Sequence, residues 1–167
     1  MSKPFVAILM GSDSDLPTME ASFDVLKKFD IPFEVKITSA HRTPAATHAY
    51  VTDADARGCA AFICAAGMAA HLAGAVAAAT VKPVLGVPIN ASLDGLDALL
   101  STVQMPGGIP VGTLAIGKAG AKNAAYLAAQ IMATSDEKLA KAVRDERQAN
   151  ADAVIAKDAE LQKRLNG

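Results

Sequence analysis

Apolar residues in this chain come in short unbroken runs, separated by stretches of helical period. Residues 4–10, P-F-V-A-I-L-M, form the first run, and such runs suit strands buried on both faces. A polar turn, G-S-D-S-D, follows at 11–15. Leu16, Met19, Phe23 and Leu26 then recur at helical spacing, with Pro17 in the first turn. Asp30-Ile31-Pro32 ends that helix, and 33–38 alternates as a second strand. The loop S-A-H-R-T-P at 39–44 offers Thr43 as N-cap and Pro44 as first helical residue of a helix that Gly58 stops. The pattern then repeats: strand 60–65, turn at Gly67, helix 69–79; strand 84–87, helix 94–103; strand 111–116, helix 119–133.

Strict alternation of strand and helix predicts an α/β fold, a parallel sheet with helices on both faces. Five strands suggest a three-layer, flavodoxin-like arrangement in the order 2-1-3-4-5. The last stretch differs. Thr134 to Glu137 carries a capping-box signature, and residues 135–167 hold 14 of the 33 charges with sparse apolar positions at Leu139, Val143, Val154, Ile155, Leu161 and Leu165. The expectation is a flavodoxin-like domain over 1–134 and a long helical extension over 135–167, which packs on a neighbouring subunit because its own domain offers it little to dock on, or else stands as a solvated helix fraying at its end.

Composition narrows the function. A chain of 167 residues with 51% apolar and 20% charged positions is long enough for one domain with a proper core. Alanine occurs 36 times, which favours helix and close approach of backbones. The net charge of −1, the 4% aromatic content and the lack of Trp argue against a nucleic-acid partner. Residues 59–81 contain no Asp, Glu, Lys or Arg, yet they are Ala-rich and broken by Gly67; they read as strand, turn and buried helix, not as a membrane span. Cys59 and Cys64, five apart in a strand, are expected on opposite faces as two buried thiols of a reducing cytoplasm. The N-terminus, M-S-K-P-F, does not read as a signal peptide.

Ligands of open parallel sheets bind at the carboxyl ends of the strands. Three loops lie there: 11–15, 39–44 and 66–71. The first offers backbone N–H groups and two hydroxyls, a ready anion site, while Asp13 and Asp15 suit sugar hydroxyls better than a bare phosphate. Taken alone, the simpler reading is that Ser14 or Asp15 caps the helix. The second sets Arg42, a two-pronged donor for phosphate, beside His41, a residue type suited to acid/base work; alone, the pair reads equally well as two exposed loop residues. The third, A-A-G-M-A-A-H-L, places His71 about one turn into an apolar helix, where a lone His is more often a hydrogen-bonded core residue. His48 reads as structural or surface. Residues 112–119, G-T-L-A-I-G-K-A, match a P-loop in all but one residue, Ala119, which stands in place of the Mg²⁺-holding hydroxyl, and 111–116 reads as strand, so ATP binding is not expected there. The acidic pair after the first strand is similar to that of a response regulator, but the third strand ends in Cys64-Ala65-Ala66 with no Asp to phosphorylate.

Taken in order, G-S-D-S-D, S-A-H-R-T-P, A-A-G-M-A-A-H-L, G-V-P at 86–88 and V-Q-M-P-G-G-I-P-V-G-T-L-A-I-G-K-A-G strongly resemble the PurE family, the 5-(carboxyamino)imidazole ribonucleotide mutases of purine synthesis. The resemblance runs from about Phe5 into the C-terminal helix. It implies a homo-octamer with active sites at subunit junctions, a ribonucleotide substrate, and neither metal nor organic cofactor. By similarity Ser12, Asp15 and Arg42 bind substrate, with Ser14 and Ser39 at the phosphate and Asp15 at the ribose. His41 matches the family's acid/base histidine. Gly67, Met68, Ala69 and Leu72 line the pocket for the base and the migrating carboxylate, with His71 as a second catalytic candidate.

That reading agrees with the chemistry of the residues. Loss of CO₂ from a carbamate needs a proton at the departing nitrogen, and carboxylation of carbon 4 needs one removed. The chain departs from the family pattern at Met68, where many members have a second Gly, at Ala73, where many have Pro, and in a loop at 89–93 that is one residue short. Arg42 favours the mutase class over the direct carboxylases, which more often carry Lys there. A direct aminoimidazole ribonucleotide carboxylase and a non-catalytic nucleotide-binding module are the competing expectations.

Overall fold

The structure is a computed structural model and describes residues 3–166. Five parallel strands, β1 (Phe5–Met10), β2 (Phe33–Ile37), β3 (Cys59–Gly67), β4 (Val84–Ile89) and β5 (Gly112–Thr113), stand in the order β2-β1-β3-β4-β5. The helices are α1 (Leu16–Lys28), α2 (Pro44–Ala56), α3 (Leu72–Ala77), α4 (Leu96–Val103), α5 (Lys118–Ala133) and α6 (Glu137–Asn166). This is the expected α/β fold and the expected strand order.

Right-handed crossovers explain the layers. The step from β1 to β2 runs one way along the sheet, and the later steps run the other. α1 therefore covers one face, and α2, α3 and α4 cover the opposite one. On the second face Phe5, Ala7 and Leu9 of β1 and Phe62 of β3 pack with Val51 and Ala54 of α2 and with Leu72, Val76 and Ala77 of α3. All six residues of β1 and all six of β4 are buried, as continuous apolar runs require of central parallel strands.

Four local departures from the sequence reading have identifiable causes. The register slips between Phe5↔Cys59 and Val6↔Ala61, so Ala60 is an extra residue in β3. That bulge reverses the parity of Cys59 and sets both thiols in one core cluster, not on opposite faces. Both are free; burial pushes the Cys59 thiol up to about 11 and Cys64 further.

β5, expected over 111–116, pairs only at Gly112 and Thr113. Leu114 N still donates to Gly86 O (2.9 Å), but the next bond comes from Gly117 N to Pro88 O (2.8 Å), one residue late. Pro88 has no N–H to continue the ladder, and the neighbouring chain bulges past it. α3 begins at Leu72, not 69, because β3 extends to Gly67 and Met68 then takes φ +56°. α4 begins at Leu96, not 94, because Leu93, Asp94 and Gly95 all have positive φ.

Gly86 marks where α4 lies tightest on the sheet. A Cβ there would overlap the Thr102 methyl and stand 3.1 Å from Val111 Cγ1. Thr102 is held in place by its bond to Ala98 O (2.7 Å). Gly86→Ala is expected to cost about 1–3 kcal/mol. Thermal melting checks this, and an unchanged midpoint would show that α4 can slide.

Two compact units are present, 1–128 and 129–167. In the second, α6 is a 30-residue helix with Leu139 and Val143 buried and Val154, Ile155, Leu161 and Leu165 exposed. No helix among the described residues is long and apolar enough to cross a membrane.

Candidate active site

The carboxyl ends of β1, β2 and β3 open into one cavity of about 450 Å³. β1 and β3 are neighbours whose chains leave on opposite sides of the sheet, the place where such a crevice forms.

After β1 the chain makes a 3₁₀ turn, Asp13–Asp15, capped by Ser12. Ser12 Oγ accepts from Ser14 N (3.2 Å) and from Ser14 Oγ (2.8 Å), and Asp15 Oδ2 accepts from Ser12 N (3.2 Å). The S-x-x-D spacing of a capping box was present in the sequence; the cap is Ser12, and neither Ser14 nor Asp15 caps α1 by its side chain. Asp15 is buried, and that burial pushes its carboxyl above the usual range despite the Ser12 N–H.

After β2 three threonines knot the second loop. Thr38 Oγ1 lies 2.6 Å from Thr47 Oγ1 and 3.2 Å from Thr43 Oγ1. Thr43 Oγ1 accepts from Ser39 N (2.9 Å), so its hydroxyl ties the loop back on itself instead of capping α2. Arg42 N donates to Ser39 Oγ (3.1 Å). The Arg42 guanidinium has no hydrogen-bond or ion-pair partner among the described residues, and it stands exposed at the cavity.

After β3 come two tight turns, Ala70 N to Met68 O and His71 N to Ala69 O, both 2.9 Å. They place His71 at the N-cap of α3, not inside a helix. From there its Nδ1 lies 2.8 Å from His41 Nε2, with the rings edge-on at 80°. One imidazole must donate and the other accept, so the contact holds a single proton that either ring can carry. The sequence suggested no such pairing, because the two residues are 30 apart and on different elements.

Of the residues singled out for the site, Ser12, Ser14, Asp15, Ser39, His41, Arg42, Gly67, Met68, Ala69, His71 and Leu72 line this cavity, and Asp13, the other carboxylate of the first loop, does not. Gly11, Ala40 and Ala66 of the same three loops line it too, and so does Ala91, which was not foreseen. Ala91 reaches it from the loop after β4; a Cβ on Gly67 would come within 3.0 Å of its methyl. His48 is exposed and does not line it. The arrangement offers hydroxyls and a free guanidinium for an anion, a buried carboxyl for sugar hydroxyls, and a coupled imidazole pair for proton transfer.

Comparison with known proteins shows the family. The family profile described as AIR carboxylase matches residues 5–153. The N5-carboxyaminoimidazole ribonucleotide mutase of Escherichia coli K12 is 52% identical over 151 residues, 90% of this chain and 89% of that one. The mutase of Bacillus subtilis is 52% identical over 149 residues (89% and 91%), and that of Mycobacterium leprae 51% over 162 residues (96% and 94%). Among solved structures, Treponema denticola PurE superposes with a TM-score of 0.87 at 32% identity, covering 95% of this chain and 99% of that one. Sequence and fold agree across nearly the whole chain, and the chain belongs to the AIR carboxylase family.

Proposed function

We propose that this chain is an N5-carboxyaminoimidazole ribonucleotide mutase of purine biosynthesis, an isomerase that moves carboxylate from the exocyclic nitrogen to carbon 4 of the imidazole. The observation that carries the reading is the 2.8 Å contact between His41 Nε2 and His71 Nδ1 at a cavity that also holds Ser12, Ser14, Ser39 and Arg42. Relatives at 50–52% identity bear the mutase name, which favours it over the direct carboxylase.

Arg42, Ser14 and Ser39 hold the phosphate, and Asp15 the ribose. His41 delivers a proton to the exocyclic nitrogen as the carbamate C–N bond breaks and its electron pair stays on nitrogen. Carbon 4 then attacks the released CO₂, and His41 removes the proton from carbon 4. One group gives and takes a proton, so the cycle is proton-neutral. His71 orients the His41 ring and shares its proton.

The family's octamer, with sites at subunit junctions, suits the exposed surface. Leu93, Leu96, Leu100 and Val103 form an outward apolar stripe on α4 and the turn before it, 72% exposed at Leu93. A second copy covers this face, and α6 packs on a neighbour through Val154, Leu161 and Leu165. Light scattering is expected to give eight chain masses, and a monomer would remove this assembly. The enzyme works in the cytoplasm, where its free thiols persist.

The direct test is a paired ultraviolet assay for the carbon-4 carboxylated product. Rapid turnover of the carbamate, and not of aminoimidazole ribonucleotide with bicarbonate, is expected. The reverse pattern makes it a direct carboxylase. Inactivity in both arms leaves a binding module.

A further inference from the structure

Thr47 puts a hydroxyl where α2 is otherwise apolar. It stands with Val51 and Ala54 on the buried face of that helix, 3% exposed, in the i, i+4, i+7 spacing of a core stripe. Its bond to Thr43 O (3.0 Å) is one that any helical threonine can make. Its contact with Thr38 Oγ1 (2.6 Å) is not, because it joins α2 to the end of β2 across the loop that carries His41. Thr38 is buried too, and its N–H donates to Met10 O (2.9 Å), so the sheet holds that side. The hydroxyl protons fit without conflict: Thr38 donates to Thr47, Thr47 to Thr43 O, and Thr43 to Ser39 O (3.2 Å) while it accepts from Ser39 N. None of the three threonines lines the cavity.

Resting on the mutase reading, we infer that Thr38 and Thr47 are positioning residues that fix the 39–42 loop, and with it His41, Ser39 and Arg42, relative to the sheet. The pair acts through Thr43, whose Oγ1 lies 3.2 Å from Thr38 Oγ1 and holds Ser39 N. Ser39 Oγ in turn accepts from Arg42 N (3.1 Å). His41 lies between them with its side chain exposed, and meets His71 at 2.8 Å. A small displacement of the loop therefore lengthens the imidazole contact and moves the proposed phosphate donors together. A hydroxyl pair fixes direction as well as distance; an apolar pair of the same shape fills the space and leaves the loop free to turn.

The experiment compares three variants. Thr47→Val keeps the shape and loses the hydroxyl. Its kcat/KM for the carbamate substrate is expected to fall about tenfold, through a lower kcat and a higher KM together, the size of effect expected from one lost hydrogen bond. Thr47→Ser keeps the hydroxyl and is expected within about twofold of wild type, although the missing buried methyl lowers its melting point. Thr38→Val/Thr47→Val leaves neither hydroxyl of the pair behind, so it melts near the wild-type midpoint and yet keeps the low kcat/KM. Activity then follows the hydroxyls, and stability follows the packing. Wild-type constants in the double variant, or equal losses in Thr47→Val and Thr47→Ser, make the threonines packing residues only and overturn the inference. Hydrogen exchange reads the loop without turnover: the amides of Ser39, Arg42 and Thr43 are expected to exchange faster in Thr47→Val and in the double variant than in Thr47→Ser. Equal exchange in all three overturns the inference as well. Failure of the wild-type enzyme to turn over the carbamate defeats the mutase reading alone, and the exchange experiment still decides whether the pair holds the loop.

Discussion

His41→Asn is expected to lower kcat for the carbamate substrate by about 10²–10⁴-fold, the usual worth of a positioned acid/base group. Binding is expected to survive nearly unchanged. Asn keeps a polar side chain at the cavity, although its amide is too short to reach the His71 Nδ1 that His41 Nε2 meets at 2.8 Å. What Asn cannot do is accept a proton and return it. The serines proposed to hold the phosphate are fixed by other means: Ser14 by the capped turn after β1, and Ser39 by Thr43. Steady-state kinetics beside calorimetric titration with product separates the two effects. Retention of most activity would mean that the imidazole pair is not the proton carrier. His71→Asn makes the matching control. If His71 acts through His41, its loss costs less and moves the pH profile of kcat instead of abolishing turnover.

Much of this architecture was legible because central parallel strands are written as unbroken apolar runs and their covering helices as periodic ones. Residues 4–10 and 84–87 could hardly be anything but strands, and the loops after them had to lie at one edge of the sheet. That rule alone brought Ser12, Asp15, His41, Arg42 and Gly67 to one cavity. What escaped the reading was set by single residues that leave no mark on hydrophobic periodicity. Ala60 enters a bulge and turns Cys59 to the face of Cys64. Pro88 withholds one donor and cuts β5 to two residues. Met68 takes a left-handed φ in an Ala-rich stretch that otherwise reads as helix, and so decides that His71 is an N-cap able to face His41. Ala91 enters the wall by tertiary approach to Gly67, which neither segment encodes by itself.

Arg42→Ala is expected to raise KM for the ribonucleotide by about 10–150-fold, because a charge-assisted hydrogen bond to phosphate contributes roughly 1.5–3 kcal/mol. kcat at saturation should change little, since the phosphate lies away from the atoms that react and is held alike throughout the cycle. The fold should not notice. The guanidinium is exposed and has no hydrogen-bond or ion-pair partner among the described residues; the contact that ties Arg42 into its loop runs from its backbone N–H to Ser39 Oγ and survives the substitution. Melting therefore serves as the control, with a change within about 0.5 kcal/mol. Arg42→Lys should recover only part of the affinity, because it keeps the charge and loses the paired donors. Inorganic phosphate offers a second readout: as a competitor, it should inhibit the wild-type enzyme more strongly than the Ala variant. An unchanged KM would move the phosphate away from the 39–44 loop. A fall in kcat at constant KM would instead place Arg42 beside the migrating carboxylate, where charge develops as CO₂ is captured.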